Sequence, residues 1–140
     1  MSRIFWDTNL FVYLFEDYQT LSKKTGELRT RMLARGDQLL TSTLTIGEVL
    51  VKPIERGAAD ICQQYEKAIT STAVVIPFDL NAARIYASLR QDRSLRAPDA
   101  VQLACAASVG VDLFVTNDNH LQGRHVEGIQ FIVAVEKVPL

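Results

Sequence analysis

Short apolar β-branched runs alternate along this chain with segments whose apolar residues recur at helical spacing, and this alternation limits the fold more than any other feature. "RIFW" (3–6) reads as a strand, followed by a short helix from Asn9 and a longer amphipathic helix over 20–35 that Gly36 stops. Residues 38–41 form the next strand, and a helix over 43–51 ends near Pro53. Residues 57–70 repeat Ala58, Ile61, Cys62, Tyr65 and Ile69 at helical period, and "AVVIPF" (73–78) returns to strand. Helices over 80–91 and 98–109 follow, the second ending on Gly110, before "DLFVT" and "IQFIVAV" supply the last strands. Strand alternating with helix predicts an α/β domain with a mostly parallel central sheet covered on both faces.

In such sheets ligands gather beyond the carboxyl ends of the strands, where the strand order changes direction. Two strands here run straight into acids. "RIFWD" reaches Asp7 directly after Trp6, and "DLFVTND" turns polar after Val115 and reaches Asp118. The topology predicts that both acids stand at the rim of the core. Two more acids stand out by context. Asp99 follows Pro98 in "RAPDAVQLA", in the first turn of a helix, and Glu48 lies early in the helix of "TLTIGEVL".

Each acid alone has a structural explanation. Asp7 can cap the helix that follows it, and Asp118 can cap the "NHLQ" turn. Asp99 suits a first helical turn, and Thr45 with Glu48 matches a capping box. All four explanations must hold at once, at positions that the topology brings to one edge of the sheet. If the acids converge, they need a counter-charge: like charges about 4 Å apart repel by roughly 4 kcal/mol at an effective dielectric of 20. Hard oxygen donors without paired histidines favour Mg²⁺ or Mn²⁺ over zinc. Such an ion lowers the pKa of bound water and neutralises charge building on a phosphodiester, which is nuclease chemistry.

The remaining sequence bounds this reading. The 140 residues, 48% apolar and 22% charged, suit one globular domain over 1–140. Net charge is -1, so any nucleic-acid contact must come from a local patch. "LRQDRSLRAPD" offers one in Arg90, Arg93 and Arg96, which bind phosphate if their loop borders the site and are otherwise a solvated loop paired with Asp92. Lys52 and Arg56 are second candidates. Cys62 and Cys105 stand far apart outside any CxxC spacing, which suggests neither zinc nor a disulfide scaffold and fits a reduced cytoplasmic setting. Asp7 interrupts the N-terminal apolar segment, so no signal peptide is expected. No run approaches the roughly 18 apolar residues of a membrane span. His120 and His125 have no convincing partner and read as polar surface; Trp6, beside Ile4 and Phe5, reads as core. "NLFVYLFEDY" carries more apolar surface than one helix normally buries in a small domain, which leaves room for a partner.

"FWDTNLFVYLFED", "TSTLTIGEVL", "LRAPDAVQLACAASVGVDLFVTND" and the closing strand resemble, in order and over almost the whole chain, a PIN-domain ribonuclease, more narrowly a VapC-type toxin of a toxin–antitoxin pair. The resemblance implies a three-layer α/β/α domain and Mg²⁺- or Mn²⁺-dependent cleavage of RNA. It implies Asp7, Glu48, Asp99 and Asp118 as the acidic metal-binding quartet, with Asn9 and Thr116 as polar support. A homodimer and a cognate antitoxin protein are further implications. Asp112 matches no family acid with certainty and is expected at the far end of the sheet. A haloacid-dehalogenase-like phosphatase would want a second acid where Asn9 stands, and a receiver domain would want paired early acids and a late lysine. A PIN-like binding module with a weak active site is the other alternative.

Overall fold

The computed structural model describes residues 1–139. Five strands, β1 (Arg3–Trp6), β2 (Gln38–Ser42), β3 (Val74–Ile76), β4 (Val111–Val115) and β5 (Ile129–Val133), form one sheet in the order β3-β2-β1-β4-β5. Every pairing is parallel, so the sheet is wholly rather than mostly parallel. Among the described residues six helices connect the strands: α1 (Thr8–Phe15), α2 (Thr20–Arg35), α3 (Thr43–Glu55), α4 (Ala59–Thr72), α5 (Leu80–Leu89) and α6 (Ala97–Val109). A 3-10 turn over Val135–Lys137 follows β5.

Strand alternation splits the apolar residues between two layers. Ile4, Trp6, Leu39, Leu113 and Val115 face one side, where they pack with Leu10, Phe11, Leu28, Met32, Val49 and Ile69 of α1–α4. Phe5, Leu40 and Phe114 face the other side, against the buried residues Ala100, Leu103, Ala104 and Cys105 of α6 and Ala82 of α5. Phe5 and Phe114 are partners in adjacent strands and stack with ring centroids 5.0 Å apart, joining the two central strands. Each layer buries what the alternating pattern supplies, which is why the chain forms an α/β/α sandwich.

The boundaries differ from expectation where proline acts. β3 ends at Ile76 rather than 78, because Pro77 has no N–H to continue the ladder. α3 instead runs through Pro53 to Glu55. Pro53 is buried near the helix end, and Arg56, Gly57 and Ala58 donate back to Lys52, Ile54 and Pro53, so the last turn closes around the one missing bond. Gly36 stops α2 with φ +72, the left-handed conformation its lack of Cβ permits. Trp6 is fully buried, as its neighbours predicted. Both cysteines are free; Cys105 is buried, which pushes its thiol up to about 11. Among the described residues no helix is long and apolar enough to cross a membrane.

Candidate active site

From β1 at the centre, the chain first adds β2 and β3 on one side, then returns to place β4 and β5 on the other. The strand order therefore reverses between β1 and β4, and a crevice opens beyond their carboxyl ends. The parallel ladder carries both strands into it: the Asp7 N–H donates to the Val115 carbonyl at 3.0 Å, and the Thr116 N–H to the Val133 carbonyl at 3.0 Å. Asp7 is thus delivered by β1 and Asp118 by the turn after β4. Glu48 comes from the second turn of α3 and Asp99 from the first turn of α6. All four line one cleft of about 340 Å³, together with Asn9 and Arg96.

The local roles predicted for single acids are realised in part. Asp7 does cap α1, its Oδ1 accepting from the Thr8 N–H at 2.8 Å, while its Oδ2 accepts from the Thr116 hydroxyl at 2.7 Å. Asp118 does cap the following turn, accepting from the His120 N–H at 2.9 Å. The capping box does not form. α3 begins at Thr43 with Ser42 at its N-cap, so Thr45 lies inside the helix, and Glu48 Oε1 accepts from the Thr8 hydroxyl at 2.6 Å instead of reaching back. Thr116 also accepts from the Asp118 N–H at 3.1 Å, so one hydroxyl ties the acid of β1 to the loop after β4. Asn9 Oδ1 accepts from the Asn117 N–H at 3.4 Å, a second tie between the same segments.

The acids differ in exposure. Asp7 is 8% exposed, whereas Glu48 reaches solvent. Burial pushes the Asp7 carboxyl up to about 6; hydrogen bonds from Thr116 and Thr8 oppose this, and the negative charges of Asp99 and Glu48 add to it. Of the three arginines, only Arg96 lines the cleft. Its guanidinium donates to Asp99 at 3.0 Å and reaches Asp118 at 3.4 Å, and Asp99 holds its pKa above the ordinary value. Arg90 instead lies over the Tyr86 ring, 5.8 Å from its centroid, and Arg93 is exposed in the loop. Asp92 pairs with Arg124 rather than with either of them. Lys52 and Arg56 line an adjoining groove that shares Val12 and Glu48 with the acid cleft. Asp112 lies at the opposite end of the sheet, where it accepts from the Arg3 N–H at 2.7 Å.

Unforeseen from the sequence is a layer of buried polar residues at the floor of the cleft, Thr41, Ser42, Thr45 and Gln102, of which Gln102, with Thr8, also lines the cleft. Gln102 had a legible signal. It follows Asp99 by three residues, one turn further on the same helix face, in a segment otherwise small or apolar.

Among the described residues, no three His, Cys, Asp or Glu side chains are gathered tightly enough to hold a metal ion as they stand. The donor chemistry nonetheless fits a hard divalent cation: the acids of the cleft are all carboxylates, and the most buried of them is held at raised pKa partly by its neighbours' charge. A cation in the cleft would relieve that repulsion, as Arg96 already does for Asp99 and Asp118.

No curated protein matches the chain. Among solved structures, the VapBC2 complex of Rickettsia felis bound to promoter DNA matches with TM-score 0.74 at 14% identity, covering 94% of this chain and 98% of that one. DNA-bound VapBC of Salmonella typhimurium matches with TM-score 0.70 at 19% identity, covering 96% and 99%. A toxin–antitoxin complex from Klebsiella pneumoniae matches with TM-score 0.65 at 23% identity, covering 90% and 94%. These likenesses establish the fold. The model of the PIN domain matches residues 4–124, most of the chain including all four acids, and the chain therefore belongs to the PIN-domain family.

Proposed function

We propose that this protein is a metal-dependent endoribonuclease of the VapC type, the toxin of a toxin–antitoxin pair. The observation that carries the reading is the meeting of Asp7, Glu48, Asp99 and Asp118, from four separate elements, in one cleft at the β1/β4 reversal. That structural relatives with this fold were solved as VapBC or toxin–antitoxin complexes supports it further.

In this reading Asp7 and Asp118 are the principal ligands of Mg²⁺ or Mn²⁺, and Glu48 and Asp99 are further ligands or orient water. The ion would supply a water of lowered pKa and neutralise charge on the scissile phosphate. The chain's own groups prepare the site. Thr116 and the Thr8 N–H fix both oxygens of Asp7, so its position is set before anything binds. The Thr8 hydroxyl holds Glu48, which would otherwise be a free surface side chain. Asn9 and Thr116 keep the loop after β4 in register with α1. Arg96 offers its planar fork to a backbone phosphate at the mouth of the cleft, with Arg90 and Arg93 further out on the same loop.

The antitoxin partner would lie along the groove between α1, α3 and α4, where Val12, Val49, Pro53 and Tyr65 give an apolar floor and Lys52 and Arg56 a basic edge. The exposed Leu14 in α1 and Tyr18 just beyond it leave apolar surface for a second copy of the chain, and we assign the homodimer to that surface.

Purified protein incubated with total RNA tests the reading. Cleavage is expected with Mg²⁺ or Mn²⁺, is lost with EDTA, and is lost in a folded Asp7→Asn variant, which keeps the shape and removes one charge. Undiminished cleavage by Asp7→Asn, or in EDTA, would overturn it.

A further inference from the structure

Gln102 is 2% exposed, in a helix whose other buried residues are Ala, Leu and Cys. A primary amide is held in such a place only if its donors and acceptor are used. All are: Oε1 accepts from the Ser42 hydroxyl, and Nε2 donates to Thr8 Oγ1 and Thr45 Oγ1, each at 2.9 Å. The polarity follows from chemistry. The Glu48 carboxylate only accepts, so the single proton of Thr8 is committed to it at 2.6 Å. Thr8 Oγ1 must then accept, from Gln102 and from the Thr45 hydroxyl 3.1 Å away, which places the amide nitrogen at Thr8 and its oxygen at Ser42. The donors run one way, from Ser42 through Gln102 and Thr8 to Glu48.

We propose that Gln102 is the positioning residue for Glu48: by occupying the acceptor side of Thr8, it keeps the hydroxyl proton aimed at the carboxylate and so sets one wall of the acid cleft. The same helix carries Asp99 one turn earlier, so a single rigid element fixes one acid directly and a second through the amide. The inference rests on the reading of Glu48 as part of a divalent-cation site. Groups hydrogen-bonded directly to a metal ligand, as Thr8 is to Glu48, typically change metal affinity by about 10- to 100-fold when removed, and Gln102 acts through that group.

The test is the affinity of the full chain for Mn²⁺, followed by the ion's electron paramagnetic resonance signal without RNA. Thr8→Val removes the direct partner of Glu48 and should weaken Mn²⁺ binding by at least about tenfold. Gln102→Met keeps the volume and removes the donors; it should weaken binding severalfold but by no more than Thr8→Val does, and the double variant should bind no worse than Thr8→Val alone, because Gln102 acts on Glu48 through Thr8. Additive losses, or wild-type affinity in Gln102→Met, would overturn the assignment. If Gln102→Met does not fold, the Gln102 side-chain amide protons decide. They should exchange slowly with solvent in the wild type and faster in Thr8→Val; equal rates would overturn it. A wild type that binds no Mn²⁺ would instead remove the metal-site reading, and this inference with it.

Discussion

At the scale of single residues, Asp7 illustrates a conflict between stability and the proposed chemistry. Its carboxyl is raised from 3.8 to about 6, chiefly by burial. The folded state thus holds the proton more tightly than the unfolded chain does. The sign of the effect follows: below pH 3.8 the group makes no difference to stability, between pH 3.8 and about 6 stability falls as pH rises, and above that the loss is constant. Raising the carboxyl from 3.8 to about 6 corresponds to about 3 kcal/mol. Asp7→Asn removes the charge but leaves Thr116 with a poorer partner, so a gain of about 1–3 kcal/mol at pH 7.5 is expected, shrinking towards zero near pH 4. Urea unfolding in EDTA at the two pH values measures it. A difference that does not change with pH would show that the buried charge is not what strains this position. A gain that follows pH as expected would make Asp7 a residue that costs the fold stability while serving the proposed chemistry.

Among elements, the junction of α6 with the segment entering β5 is a close backbone approach. Gly128 has φ +94, and a Cβ built there would lie 2.6 Å from the Ala107 carbonyl oxygen, while its own carbonyl accepts from the Val111 N–H at 2.9 Å. Alanine at this position meets both an unfavourable backbone conformation and a clash with backbone that cannot rotate away. Gly128→Ala is expected to destabilise by roughly 2–4 kcal/mol, measured by urea denaturation. Because the junction lies at the end of the sheet opposite the acid cleft, the folded fraction should keep its cleavage activity. A cost below about 0.5 kcal/mol would mean that α6 slides easily on the sheet, and the rigidity ascribed to Asp99 and Gln102 would lose its basis.

For the molecule as a whole, a net charge of -1 and an acidic cleft give no broad field to attract a polyanion. Binding of single-stranded RNA would rest on a few contacts near the cleft, from Arg96 on its wall and from Lys52 and Arg56 in the groove that adjoins it. Three phosphate contacts correspond to a slope of about -2 in a plot of log affinity against log salt concentration. Arg96→Gln should lower that slope by about 0.7. Fluorescence anisotropy with a labelled oligonucleotide and Asp7→Asn protein measures both. A slope steeper than about -4 would point to a second basic surface away from this cleft.

What the sequence determined alone was the layering. β-branched runs with period two and helical runs with period 3.6 leave few ways to bury both, so the parallel sheet, its two covered faces and the acids at the strand ends were legible in "RIFWD" and "DLFVTND". The boundaries at Pro53 and Pro77 were not, because a missing N–H ends a three-residue strand yet is absorbed in a buried last turn of a helix. Nor was the fate of the polar side chains. Thr45 and Glu48 match a capping box in local spacing, but Thr8 and Gln102, distant in sequence, offered stronger partners once β1, β2 and α6 were packed together. Likewise three arginines looked equivalent in one loop, and only the turn into α6 put Arg96 against Asp99 and Asp118. Periodicity is a local property and survives in the string of letters; hydrogen-bond partners are settled by competition among groups that only the folded chain brings together.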